Sequence, residues 1–201
     1  TKPGGFYGYV QTKTGSKWQP DGGKIDVTKV VPPKTFDQPL MWIPKYVDNS
    51  SGGQLWVDDE RWGPLSGRFL HTSFGKGHLY YFLIQNVGDQ HQGALVRLPH
   101  NFETGIMRAR VNPLDGQVYA TGLNGWNGGG RKELTVGAVQ RLRYTGEPLK
   151  MINDWKVTKG KMEISLNFEL SKNTSDHHFK IKQWNYLWAE NYGSKNYKLS
   201  D

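Results

Sequence analysis

Apolar and polar residues alternate with a period of two along most of the chain, and no stretch keeps the 3.6-residue apolar spacing of an amphipathic helix. The pattern predicts short strands over 54–57, 68–74, 78–86, 93–98, 105–111, 117–122 and 138–144, each bounded by Gly, Pro, Asn or Asp. The run LYYFLI, Leu79 to Ile84, is apolar on both parities, the mark of a strand buried on both faces. Residues 163–170 alternate cleanly, with Ile164, Leu166, Phe168 and Leu170 opposite Glu163, Ser165, Asn167 and Glu169, which predicts a sheet with one wet side. Further on, Phe179 and Ile181 share one parity and Trp184, Tyr186 and Trp188 the other, so a bulge or bend is expected near Gln183. The first 47 residues (GGFYGYV, VVPPKTF, MWIPKY) lack sustained alternation and read as long ordered loops over a sheet edge.

One near-repeat organises these strands. GQLWVDDERWG begins at Gly53 and GQVYATGLNGWNG at Gly116, each a strand with an aromatic followed by a polar turn and a Trp. Repetition at this spacing, with several strands per unit, is what consecutive blades of a β-propeller show. The expected fold is therefore all-β: C-terminal blades of a β-propeller over 1–146 (loop-rich 1–47, blades 48–146), then the start of a β-sandwich (Ig-like) module over 147–201. A complete seven-strand sandwich needs about 100 residues, so this second module is expected to be cut short or completed by another chain.

Composition narrows the chemistry. The 201 residues include 25 Gly and 10 Pro, below the share that marks low-complexity disorder, so the chain folds. Eight Trp, 10 Tyr and 8 Phe favour sheets and ring-stacking surfaces. No Cys is present, which removes disulfides, thiolate metal sites and cysteine nucleophiles together. The net charge of +8 calls for an anionic partner to be considered, but the Lys and Arg residues are scattered, and this argues against nucleic acid. No apolar run approaches the length of a membrane span. The chain opens at Thr1 with neither Met nor a signal-peptide pattern, so it is expected to be processed or excised from something longer.

Candidate side chains follow from strand parity. His71 in FLHTSFG would suit a base or ligand if its strand leads to an open channel, and a hydrogen-bonded framework residue if it does not. Arg108 and Arg110, two apart on one strand, project to the same side as a pair of guanidinium forks that could hold a carboxylate, phosphate or quinone acid group, or bind carbonyls and acids of their own sheet, Asp115 among them. Trp126, flanked by Gly and Asn and followed by Arg131, could stack on a sugar ring or close its own loop. Trp184, Tyr186 and Trp188 could form a flat glycan platform, or a sandwich core. His78, His91 and His100 lack metal-ligand spacing and no metal is expected. The run Asp58-Asp59-Glu60 offers no means of setting one carboxyl apart from another, and nucleotide-binding and nucleophile-elbow motifs are missing.

Four stretches carry a family resemblance: DNSSGGQLWVDDERWGPLSGRFLHTSFG (48–75), MRARVNPLDGQVYATGLNGW (107–126), VQRLRYTGEP (139–148) and WNYLWAENYGS (184–194). Together they resemble the C-terminal part of the glucose/sorbosone-dehydrogenase-like (soluble quinoprotein-type) propeller of large secreted bacterial proteins that also carry cytochrome c or haem-binding modules. The resemblance implies a secreted or periplasmic protein and a six-bladed propeller most of which would lie upstream of Thr1. It implies pyrroloquinoline quinone and Ca²⁺ as cofactors of a full-length relative, carbohydrate as substrate, cytochrome c as redox partner, and no catalysis by this stretch alone. Better-known members place an acid between the two arginines of the corresponding strand; here Ala109 stands there. A non-catalytic glycan-binding module and a structural piece of an assembly remain the alternatives.

Overall fold

The computed structural model describes residues 37–124, 128–130, 136–171 and 179–184. The chain divides into two compact units, Thr1–Trp42 with Trp184–Asp201, and Ile43–Gln183. Every element that follows belongs to the second.

The described residues are all-β with little helix. A first sheet is a four-stranded antiparallel meander in the order β1 (Ser51–Trp56), β2 (Phe69–Ser73), β3 (His78–Val87) and β4 (Gln90–Asn101). β3 is rich in aromatic and branched residues, which suits a strand packed on both sides. Leu79 to Leu83 are buried as expected, while Ile84 emerges 52% exposed where the strand has run past β2 and pairs with β4 alone. A two-residue turn, Gly88–Asp89, joins β3 to β4, and Gly88 takes the positive φ of +59° that such a hairpin requires.

A second antiparallel sheet has the order β5 (Gly105–Val111), β6 (Val118–Leu123) and β7 (Gly137–Leu142). β1 and β2 pack against β5. Gly52 makes that approach possible, since a Cβ there would fall on the carbonyl oxygen of Ile106. The core lies between these layers and includes Leu55, Val57, Leu70, Leu79, Tyr81, Ile106, Ala109, Val118 and Ala120. A 3₁₀ segment, Glu60–Leu65, adds Trp62 and Leu65 from the side, and the Trp62 indole N–H donates to the Gly116 carbonyl.

The two copies of the near-repeat fall on strands of different rank: Gly53 lies in β1, the first strand of its sheet, whereas Gly116 leads into β6, the second of its own. Residues after 147 continue in the same unit. Met151 is buried in the core, with Ile152 and Trp155 packed against it. They begin a two-stranded hairpin, β8 (Ile152–Thr158) and β9 (Lys161–Leu166).

Two expectations need correction, and one strand was not foreseen. β8 was not legible, because a register shift between Ile152 and Asp154 breaks its alternation. The clean alternation over 163–170 yields a strand only to Leu166, and neither face is dry: Met162 and Ile164 of β9 are 53% and 47% exposed. Residues 179–183 form no strand, and Phe179 and Ile181 face solvent.

Candidate functional site

The expected parity of β2 brings His71 and Ser73 to one carboxylate. Asp48, in the loop before β1, accepts from the Ser50 N–H (3.2 Å) in an Asx turn and from Ser73 Oγ (2.6 Å) on Oδ1. Its Oδ2 accepts from Ser51 Oγ (3.2 Å) and lies 2.7 Å from His71 Nε2. Gln54 Nε2 lies 3.5 Å from His71 Nδ1, and the other ring nitrogen, Nε2, carries the N–H that faces Asp48. Tyr80 and Phe82 pack on the imidazole ring, and Tyr80 Oη donates to the Val47 carbonyl. Burial pushes the Asp48 carboxyl up, but the hydrogen bonds from His71, Ser73 and Ser50 outweigh it and hold it below the ordinary carboxylate value. The side chains of His71 and Asp48 are 1% and 0% exposed. A general base has to touch the proton it takes, and this imidazole reaches only protein. The arrangement clasps β2 to the preceding loop.

Arg108 and Arg110 are both exposed on β5, on one side, with Ala109 buried between them. A bulge at Met107 precedes them without disturbing that parity. Each guanidinium donates to the carbonyl of the residue before it, Met107 and Ala109, at 2.6 and 2.7 Å. Pairing across the sheet sets Arg110 beside Tyr119 and Tyr119 beside Arg141, and sets Arg108 beside Thr121 and Thr121 beside Val139. The solvent face of this sheet therefore carries three guanidinium groups, a threonine hydroxyl and a valine 73% exposed around a half-buried tyrosine. Asp115 borders it, and is engaged: it accepts from the Gln117 N–H and from Tyr119 Oη (2.7 Å). These bonds, the Gln117 one first, hold its carboxyl below the ordinary range.

Sequence reasoning missed Tyr119 and Arg141 as neighbours of the arginine pair. Parity within 117–122 and 138–144 put each on a definite face, but their adjacency depends on strand register, which one sequence does not display.

A cavity of about 340 Å³ is floored by Trp62, Leu65, Leu79 and Leu98 and rimmed by His100, Arg143 and Glu147. Burial lowers the His100 pKa, so its ring is neutral at physiological pH. The size falls within the range of small-ligand pockets. No sequence pattern announced it, since half its wall is the loop after β7 folding back on the sheet.

Of the other predicted residues, Trp126 and Arg131 lie outside the described residues, as do Tyr186 and Trp188; Trp184 is half-buried, in no regular element. The structure brings Arg108 and Arg110 together and keeps His71 apart from them, sealed in the first sheet. Among the described residues no group of three or more His, Asp or Glu is placed to hold a metal ion. Ca²⁺ takes six to eight oxygen ligands, so the described residues do not fit the Ca²⁺ that the resemblance implies. The arginine pair suits an acidic group in charge alone. No helix among the described residues is long and apolar enough to cross a membrane.

Comparison of the chain with protein-family models, with curated proteins and with solved structures finds no match in any of the three.

Proposed function

We propose that this chain is the C-terminal part of a sugar-dehydrogenase-like β-propeller, working in carbohydrate handling within a larger secreted or periplasmic protein and carrying no redox chemistry by itself. The reading rests on one structural observation: two antiparallel meanders follow one another in the chain, and the leading strands of the first pack on the leading strand of the second at Gly52 and Ile106. Successive blades of a propeller are built that way. The motif resemblance over 48–75, 107–126 and 139–148 falls on β1 and β2 of the first sheet and on most of the second. The enclosed position of His71 accords with a framework role for this stretch.

The test has two arms. Adding pyrroloquinoline quinone, Ca²⁺ and glucose to the 201-residue chain is expected to leave its absorbance unchanged and reduce no dye. The full translated product is expected to be much longer, with further blades upstream. Stoichiometric quinone binding with sugar-dependent dye reduction by this chain overturns the non-catalytic part; a translated product without upstream blades overturns the propeller. The second reading, a non-catalytic glycan-binding module, is favoured by the arginine-bearing face of β5–β7.

A further inference from the structure

The solvent face of β5, β6 and β7 has the chemistry of an anion-binding surface, and we infer that it binds an acidic polysaccharide bearing carboxylates through Arg108, Arg110 and Arg141; the inference rests on the carbohydrate reading above. All three arginines are exposed. Two residues along a strand separate Arg108 from Arg110 by about 7 Å, and two strand spacings separate Arg110 from Arg141 by about 10 Å. The three therefore form a triangle wide enough to engage acidic groups on successive sugars of one chain.

None of the three guanidinium groups forms an ion pair with a described residue, and the two on β5 spend one donor each on a neighbouring carbonyl. A guanidinium has five donors in a planar fork that matches a carboxylate, so most of that capacity is directed outward. Among the described residues, the carboxylate bordering the face, Asp115, is occupied by Tyr119 and Gln117 and does not cancel the cluster by contact. Between the arginines, Thr121 supplies a hydroxyl and Val139 an apolar surface 73% exposed. A sugar ring, with an apolar face and hydroxyl edges, uses both.

The same face is poorly made for nucleic acid. Single strands are held by bases stacked on exposed aromatic rings. Among the described residues, the aromatic side chain on this face is Tyr119, which is half-buried with its hydroxyl committed to Asp115. A three-stranded sheet face is too broad for the major groove of a duplex, which admits a helix or a two-stranded ribbon.

The experiment titrates the full chain calorimetrically with polygalacturonate, with neutral dextran and with single-stranded DNA, at low and at high salt. Polygalacturonate is expected to bind more tightly than DNA of equal charge, to weaken as salt rises, and to have no counterpart with dextran. Replacing Arg110→Gln and Arg141→Gln together is expected to weaken it about tenfold. The exposed pair Lys156→Gln and Lys159→Gln removes the same charge from the β8–β9 hairpin, and is expected to change affinity less than about twofold. Melting curves of both double variants should match the parent, because all four side chains are exposed. Equal losses in the two variants would assign binding to net charge and overturn the site. Tighter binding of DNA overturns it in favour of nucleic acid, and no polygalacturonate binding overturns it outright. None of these results depends on the length of the translated product or on dye reduction, so the face and the propeller reading fail separately.

Discussion

β3 and β9 are both antiparallel strands with apolar side chains on at least one parity, yet they end in opposite environments. Leu79 to Leu83 of β3 are at most 8% exposed, enclosed by β2, β4 and the layer beyond, whereas Met162 and Ile164 of β9 are 53% and 47% exposed. Among the described residues, the hydrogen bonds from the β8–β9 hairpin to the first sheet come from its inner strand, β8. Tyr81 Oη donates to the Ile152 carbonyl, and Gln85 grips Val157 by both its carbonyl and its N–H. A two-stranded hairpin is marginal in water without such support. Alternation in sequence thus reports that a strand forms; which layer covers it is decided by elements elsewhere in the chain. The consequence is a steep gradient of stability from the first sheet to the hairpin, and substitutions along it should follow that order.

The steepest loss is expected at the clasp of the first sheet. Asp48→Ala would leave the His71 N–H and the Ser73 hydroxyl buried without their acceptor. Orphaning such groups is expected to cost about 3–5 kcal/mol in denaturant unfolding. A loss below about 1 kcal/mol would mean that water reaches His71, and the contrast with the hairpin would shrink. The same carboxyl sets an acid limit. Its folded pKa lies below the ordinary 3.8, so its ionised form contributes stability that is fully present above pH 3.8 and is lost as pH falls through the lower folded value. Melting temperature followed from neutral pH into acid should therefore fall less steeply in Asp48→Asn than in the parent within that window. An identical slope in both proteins would show that other carboxylates govern acid unfolding.

Much of this was visible in the residues themselves. The strands around Leu79 and Ala109 announce themselves because aromatic, branched and alternating residues leave a pleated ladder as the economical way to bury them. The shared side of Arg108 and Arg110 could be read from spacing, even with a bulge one residue earlier. β8 escaped because the shift between Ile152 and Asp154 puts Ile152, Trp155 and Val157 out of a simple period. Asp48 escaped for another reason: DNSS signals a local turn, but nothing local says that Ser73 and His71, more than 20 residues on, will converge on the carboxylate. Arg141 joins the arginine pair by register across three strands, again a property of the assembled sheet.

An intermediate effect is expected where the two sheets are tied. Trp62→Phe keeps most of the buried ring but removes the indole N–H that satisfies the buried Gly116 carbonyl. One unmade hydrogen bond in a dry site is expected to cost about 1–2 kcal/mol in chemical unfolding. An unchanged midpoint would indicate that the carbonyl finds water, and that the junction between the sheets is wetter than either interior.

The weakest response belongs to the hairpin, and it is the sharpest check on the gradient. Ile164 pairs with Trp155 across the hairpin, but it is nearly half exposed and Trp155 is held from the other side by the core cluster. Ile164→Ala therefore removes few packed atoms, and its unfolding free energy should stay within about 0.5 kcal/mol of the parent. Gln85→Ala, which releases both bonds to Val157, should cost more than Ile164→Ala although it deletes no apolar group, since it leaves the Tyr81 bond to Ile152 to hold β8 to β3. A loss above about 1.5 kcal/mol at Ile164 is a core-like value. It would require a second layer over β9 in solution, and sedimentation at several concentrations would show whether that layer is another copy of the chain.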